Sequence, residues 1–240
     1  MEEIDYGFHH LPAAYILSSE LPEDLVDYLN NYLDGLLKSE NKKSQAHSLV
    51  GQISHGEQLS LDFKSKELKD FNEMLEGLGK EYIKKFCEFN DVQIKGKRKV
   101  EMDELWSVHS FAGDYNPIHD HGTKTVMGIS CTMWTKVPKQ ILDTPTALGG
   151  GGYTMYNASR HTDGNLIFRY GESDSMSIER LKPSQQINIV PSVGKLLLFP
   201  SWLQHMVYPF EGDGERRTIA GNMNVWTLGP DNQKFISGAH

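Results

Sequence analysis

The sequence predicts a mainly β protein that carries helices near its N-terminus. Apolar residues recur at helical spacing in two stretches before residue 90, whereas the chain beyond about Glu101 consists of short β-rich segments separated by turn residues. Six or more strands in succession are typical of a sandwich or a barrel. At 240 residues the chain is long enough for one such domain with a helical layer on a β core.

Two helices are predicted in the N-terminal third. The first spans residues 22–38, where apolar residues recur every three or four positions and the acidic Glu23 and Asp24 occupy the first turn. The second spans about residues 66–89 and has the same spacing. We expect residues 1–100 to form a supporting layer of helices and strands within a single domain that covers residues 1–240.

The β core is predicted over residues 101–228, from segments rich in β-branched and aromatic residues. Turn residues separate these segments, and the longest connection, residues 142–165, contains four consecutive glycines at 149–152. We interpret this connection as a mobile flap near a functional site. The predicted strands are ELWSVHSF, TVMGISCTMW, NLIFRY, QINIV, KLLLFP and TIAGNMNVW.

Composition and charge argue against general nucleic-acid binding and against a membrane span. The net charge of −8 leaves no basic face for general nucleic-acid binding, and we interpret the KGKRK run at 95–99 as a solvated turn. The sequence has no apolar run of about 18 residues and an acidic N-terminus, so we expect neither a membrane span nor a signal peptide. Cys87 and Cys131 are expected to be free thiols, which favours a cytoplasmic protein.

A split set of histidines predicts a mononuclear metal site. His119 and His121 lie in YNPIHDHG at the end of a predicted strand, where side chains at i and i+2 share a face and Asp120 points away. His205 in LLLFPSWLQH follows another strand and a turn, so it can approach from a neighbouring strand end. Three imidazoles leave coordination positions open for substrate or oxygen, as in a catalytic site.

A carboxylate receptor is predicted eleven residues after His205. Arg216 and Thr218 in GERRTIAGN place a guanidinium and a hydroxyl on one strand face, whereas Arg217 faces the other way. Arginine binds carboxylates through two parallel hydrogen bonds, and the pair is strong when shielded from water. A metal beside such a receptor indicates a chelating keto-acid.

The motifs NPIHDHG, GKLLLFPSWLQHMVYP and ERRTIAGN resemble the Fe(II)/2-oxoglutarate-dependent dioxygenase superfamily. Within it they are similar to a group of oxygenases of bacteria and marine phages with a His-x-His motif. The resemblance covers about residues 105–226 and includes SLVGQIS at 48–54. It implies a double-stranded β-helix (jelly-roll) core, Fe(II) bound by His119, His121 and His205, and 2-oxoglutarate held by Arg216 and Thr218. It further implies that O2 is consumed and that a C–H bond of a peptide or small-molecule substrate is hydroxylated.

One position departs from the superfamily pattern, because most members have Asp or Glu where this chain has His121. Asp120 could compensate nearby, or could itself bind the metal if the strand is irregular. Two alternatives therefore stay open: a three-histidine, cupin-like metalloenzyme that needs no 2-oxoglutarate, and a non-catalytic jelly-roll binding or structural protein. The sequence leaves the substrate open.

Aromatic residues supply further candidates for the lining of a pocket. Trp106 and His109 lie three positions apart on the strand before the histidine motif, so at most one of them is expected to face the cavity. Tyr153, Tyr156 and Trp134 could also line a pocket, although packing explains them equally well.

Overall fold

The structure is a computed structural model that describes residues 14–46, 51–142, 162–171 and 185–236. The 149–152 glycines of the predicted flap, together with Tyr153 and Tyr156, lie outside these residues. Within the described ranges the helices are α1 (Glu23–Leu37), α2 (Lys69–Phe89), α3 (Lys139–Leu142) and a 3-10 turn (Pro230–Asn232), and the strands are β1 (Leu17–Glu20), β2 (Glu57–Ser60), β3 (Lys97–Ser110), β4 (Asn116–His119), β5 (Gly128–Lys136), β6 (Leu166–Arg169), β7 (Gln186–Ile189), β8 (Lys195–Pro200), β9 (Gln204–Val207), β10 (Arg216–Leu228) and β11 (Lys234–Ile236).

The two long helices confirm the predicted helical stretches. Helix α1 begins directly after Pro22, and α2 begins three residues later than expected. Each buries one apolar stripe against the outer face of the larger sheet, as its spacing requires. None of the described helices is long and apolar enough to cross a membrane. Both cysteines are free, as predicted.

Two antiparallel sheets form the core, and all six predicted strands are present as β3, β5, β6, β7, β8 and β10. The larger sheet has the order β1-β8-β5-β10-β3-β2, with β11 also pairing with β10. The smaller sheet has the order β4-β9-β6-β7. Side chains of β5 and β8 pack against those of β6, so the sheets lie face to face and form the predicted jelly roll.

The larger sheet is covered on both faces, which explains its apolar strands. In β8, Leu196 and Leu198 pack towards the helices, whereas Leu197 and Phe199 pack between the sheets. A strand buried on both faces reads as a continuous apolar run rather than as an alternating one. This packing makes KLLLFP one of the clearest strands in the sequence.

The sequence did not predict β1, β2 or β9, which are short and partly polar. Their positions come from pairing with other strands: β1 and β2 pair with the longer strands β8 and β3, and β9 pairs with both β4 and β6. The interpretation of residues 95–99 as a solvated turn is wrong in part. Gly96 makes the turn with a φ of 80°, but β3 already begins at Lys97 and pairs there with Leu228 of β10.

Candidate active site

The structure brings the three predicted histidines together between the two sheets. His119 on β4 pairs directly with His205 on β9, and His121 follows two residues after the end of β4. The backbone N–H of His121 donates to the Ser201 carbonyl over 2.9 Å, which positions this segment against the β8–β9 turn. One nitrogen from each ring falls within 4.8 Å of the others. The sequence placed His205 beyond the end of a strand, but in the structure it lies within the short strand β9.

Hydrogen bonds orient the imidazole rings so that their Nε2 atoms converge. His119 Nδ1 donates to the Pro117 carbonyl over 2.7 Å, and His205 Nδ1 donates to the Leu203 carbonyl over 3.0 Å. Each of these rings therefore carries its proton on Nδ1 and presents a lone pair at Nε2, the arrangement found in metal-bound histidines.

Burial keeps all three rings uncharged. It lowers the pKa of His119 below its usual range. Burial, reinforced by His119, lowers the pKa of His121 to about 4. Burial together with the two other histidines lowers the pKa of His205 to about 3. Neutral imidazole is the metal-binding form, so the cluster offers its lone pairs at neutral pH.

The donor set fits a first-row metal such as Fe(II). His121 Nε2 and His205 Nε2 lie 3.1 Å apart, close to the roughly 3 Å expected for two nitrogens that bind one ion at about 2.1 Å and at right angles. Asp120 is exposed and is not part of the cluster. Of the two candidates for the remaining ligand position, the geometry brings His121, and not Asp120, close to His119 and His205.

Arg216 lies in the same cavity as the histidines, on the larger sheet. Its side chain is only 3% exposed, its Nε donates to the Gly164 carbonyl over 3.0 Å, and its guanidinium lies 5.7 Å from the centre of the Trp134 ring. Burial lowers its pKa to about 10. Within the described part of the chain no carboxylate pairs with it, so an anionic ligand would compensate this buried charge.

Strand alternation decides which neighbours reach this cavity. Thr218 lines it together with Arg216. Arg217 points the opposite way, as predicted, and donates to Asp34 and Glu215 over 2.6 and 2.7 Å. The cavity has a volume of about 80 Å³.

Of Trp106 and His109 on β3, only one was expected to face the cavity, and only Trp106 lines it. Trp106 also stacks on His121 with ring centres 5.6 Å apart. His109 lies on the other face of β3 and contacts Glu215 over 2.6 Å. Sequence reasoning missed Asn222, which hydrogen-bonds His121. Its position four residues after Thr218, on the same face of β10, is the signal that could have found it.

Two facing antiparallel sheets thus enclose a histidine cluster that could hold a metal ion and a buried arginine that could bind an anion. The model of the family described as "Putative 2OG-Fe(II) oxygenase" matches residues 104–222. This match supports the superfamily predicted from the sequence, the Fe(II)/2-oxoglutarate-dependent oxygenases, whose cofactors are Fe(II) and 2-oxoglutarate.

Solved structures share this fold at low sequence identity. A prolyl-4-hydroxylase from Pseudomonas putida is 14% identical, with 87% of this chain and 91% of that chain covered and a TM-score of 0.53. The alpha-ketoglutarate-dependent epimerase SnoN from nogalamycin biosynthesis is 10% identical, with 95% and 85% covered and a TM-score of 0.57. HygX from Streptomyces hygroscopicus, solved with nickel, 2-oxoglutarate and hygromycin B, is 9% identical, with 88% and 83% covered and a TM-score of 0.52. No curated protein sequence matches the chain.

Proposed function

We propose that this protein is an Fe(II)- and 2-oxoglutarate-dependent oxygenase that hydroxylates a C–H bond of a peptide or small-molecule substrate. In this proposal His119, His121 and His205 hold the iron, and Arg216 with Thr218 holds the distal carboxylate of 2-oxoglutarate. One observation carries it: a buried guanidinium without a carboxylate partner among the described residues shares a cavity with three neutral, converging imidazoles.

In this mechanism the protein residues bind 2-oxoglutarate, orient it and exclude water from it. The bond from Arg216 Nε to the Gly164 carbonyl fixes the guanidinium plane, and no described residue accepts a hydrogen bond from its two Nη atoms. Those atoms are available for a bidentate carboxylate, and the Trp134 ring shields the pair from water. Iron held by His119, His121 and His205 would supply the activation of O2, coupled to oxidative decarboxylation of 2-oxoglutarate to succinate and CO2. By binding the distal carboxylate, Arg216 and Thr218 would hold the keto-acid in one orientation beside the histidines, so that its reaction becomes effectively intramolecular.

The co-substrate assignment is tested with Arg216→Ala under anaerobic Fe(II) loading. We expect iron content to stay near wild type, while the 2-oxoglutarate concentration for half-saturation rises by about 100-fold, because a charge-assisted hydrogen-bond pair is lost. The charge-transfer absorption of the iron complex reports binding, and succinate formation reports turnover. Arg98→Ala, which removes an arginine that bonds backbone carbonyls outside the site, serves as the control. Unchanged 2-oxoglutarate dependence in Arg216→Ala would contradict the assignment.

A second candidate is a three-histidine metalloenzyme that does not use 2-oxoglutarate. It is favoured by one observation, the neutral His121 at the position where most of the superfamily carries a carboxylate. Iron binding without any 2-oxoglutarate binding by the wild-type protein would support this candidate over the first.

A further inference from the structure

We propose that a second, polar cavity beside the histidines is the substrate subsite and that it accepts a cationic nitrogen, an alkylammonium or guanidinium group. This inference rests on the proposed function, because it assigns the substrate of the same site. Charge, buried acceptors and position relative to the histidines support it independently of one another.

The position of the cavity places any occupant against the histidine cluster. It has a volume of about 200 Å³, and Trp106, His119 and His121 line both this cavity and the one that contains Arg216. A single water requires only roughly 10–15 Å³. The space therefore suits a ligand group, and that group would meet the imidazoles from a cavity other than the one that contains Arg216.

The charged groups that line the two cavities differ. The first contains Arg216, which has no described carboxylate partner, and Asp114, whose carboxylate already accepts backbone N–H groups of Ser54, His55 and Phe111. The second is lined by Glu104 and Asp120 and by no lysine or arginine of the described chain. The nearby Lys124 is ion-paired with Asp103. A dianionic keto-acid is thus attracted to the cavity that contains Arg216 and repelled from the cavity lined by Glu104 and Asp120, whereas a cation has the opposite preference.

Buried acceptors give the cavity a second preference, for donors of hydrogen bonds. Gln58 pairs with Val108 across β2 and β3 and lines the cavity, with only 5% of the residue exposed. Among the described residues its Oε1 is buried without a hydrogen-bond partner, and so is Oδ1 of Asn116, which also lines the cavity. Leaving buried acceptors unpaired is unfavourable. Ammonium and guanidinium groups carry only donors and a positive charge, so they match both features.

The chemistry common to these groups is a cationic side chain at the end of an alkyl stem. It can come from a free basic amino acid or from a lysyl or arginyl residue of a peptide. Both sources present the same nitrogen, so the test includes free and peptide-like forms.

The test is a calorimetric titration with matched charged and neutral probes, on the metal-free protein and on the anaerobic Fe(II)–2-oxoglutarate complex. The free probes are lysine against norleucine and arginine against citrulline, and the peptide-like probe is lysine blocked at both backbone ends. We expect each cationic probe to bind about tenfold tighter than its neutral analogue. Tighter binding of blocked than of free lysine would identify a peptide residue as the source, and the reverse a free amino acid.

Variants locate the preference in the cavity. Glu104→Gln and Asp120→Asn should each weaken binding of the cationic probes by about threefold to fivefold, as expected for exposed charges, and Gln58→Met should weaken it further. The control is Glu57→Gln. Glu57 lies on the same strand as Gln58 but does not line the cavity, and its carboxylate pairs with Lys42. Binding of 2-oxoglutarate should not change in any of these variants.

The outcomes separate this inference from the proposed function. Equal binding of charged and neutral probes, no binding of any cationic probe, or an equal loss in Glu57→Gln would overturn the cationic subsite, even in a protein that binds iron and 2-oxoglutarate. A preference for cations in a protein that binds no 2-oxoglutarate would instead overturn the proposed oxygenase and, with it, the role of the cavity as its substrate subsite.

Discussion

The Nε2 atoms of His121 and His205 lie 3.1 Å apart although the residues are separated by 84 positions in the chain. Both rings are buried, and the pKa of each is held well below neutrality, to about 4 and about 3. Two imidazole nitrogens at this distance repel each other unless a proton or a cation lies between them. The fold therefore maintains an arrangement that a bound metal would stabilise.

A divalent metal should consequently stabilise the folded protein. At a free metal concentration of 100 times the dissociation constant, the gain in unfolding free energy is about 2.7 kcal/mol. Nickel(II) is a suitable redox-silent probe, and differential scanning calorimetry measures the shift in melting temperature. His205→Ala should abolish the shift, whereas His55→Ala, which removes a histidine whose side chain is 69% exposed, should retain it. A full shift in His205→Ala would argue against the three-histidine site.

Asn222 is expected to orient His121 for metal binding. It hydrogen-bonds the His121 ring and is itself held by Ser130, whose hydroxyl donates to Asn222 Oδ1 over 2.8 Å. Loss of such a supporting bond typically weakens metal affinity by about 10-fold to 100-fold. Asn222→Ala should show this loss in a competitive metal titration. Asn224→Ala, on the same strand but bonded to the backbone of Lys124, should keep wild-type affinity.

Acid should destabilise the protein through Glu215. Burial raises the pKa of this carboxyl, but hydrogen bonds from His109 and Arg217 outweigh it and hold the pKa at about 2. A depressed folded-state pKa adds stability above the unfolded value of about 4.3, here about 3 kcal/mol, and this stability is lost as the pH falls from about 4.3 to 2. Urea denaturation of Glu215→Gln should show the full deficit at pH 7 and a shrinking one below pH 4. A deficit independent of pH would contradict this account.

Two glycines of α2 should respond to alanine in opposite directions. A Cβ at Gly77 would meet no atom within 4 Å, whereas a Cβ at Gly79 would lie 2.9 Å from Cγ1 of Val100 on β3. Alanine in an open helical position stabilises by about 0.5–1 kcal/mol. Gly77→Ala should therefore raise the free energy of unfolding measured by urea denaturation, and Gly79→Ala should lower it by about 1–3 kcal/mol through overpacking. Equal effects of the two substitutions would show that the close packing of Gly79 is unimportant.

The sequence by itself determined the two long helices, the strands β3, β5, β6, β7, β8 and β10, and the candidate site residues. The helical spacing of apolar residues predicts α1 because one stripe of the helix faces the core. The apolar run KLLLFP predicts β8 because both faces of that strand are buried. The alternation of a strand likewise separates Arg216 and Thr218 from Arg217 without any knowledge of their neighbours. Local periodicity carries this information, so no tertiary contact was needed to obtain it.

Only the tertiary structure decided what local patterns cannot encode. The short strands β1 and β2 exist because longer strands supply their hydrogen bonds. Strand β9 pairs with both β4 and β6, and its pairing with β4 aligns His205 with His119. Gln58, which comes from a part of the chain 61 residues before His119, joins the histidines only through the pairing of β2 with β3. The burial that keeps the imidazoles neutral is also a property of the assembled sheets. Residues distant in sequence share an environment only after the chain has folded, and that shared environment sets the charge and chemistry of the site.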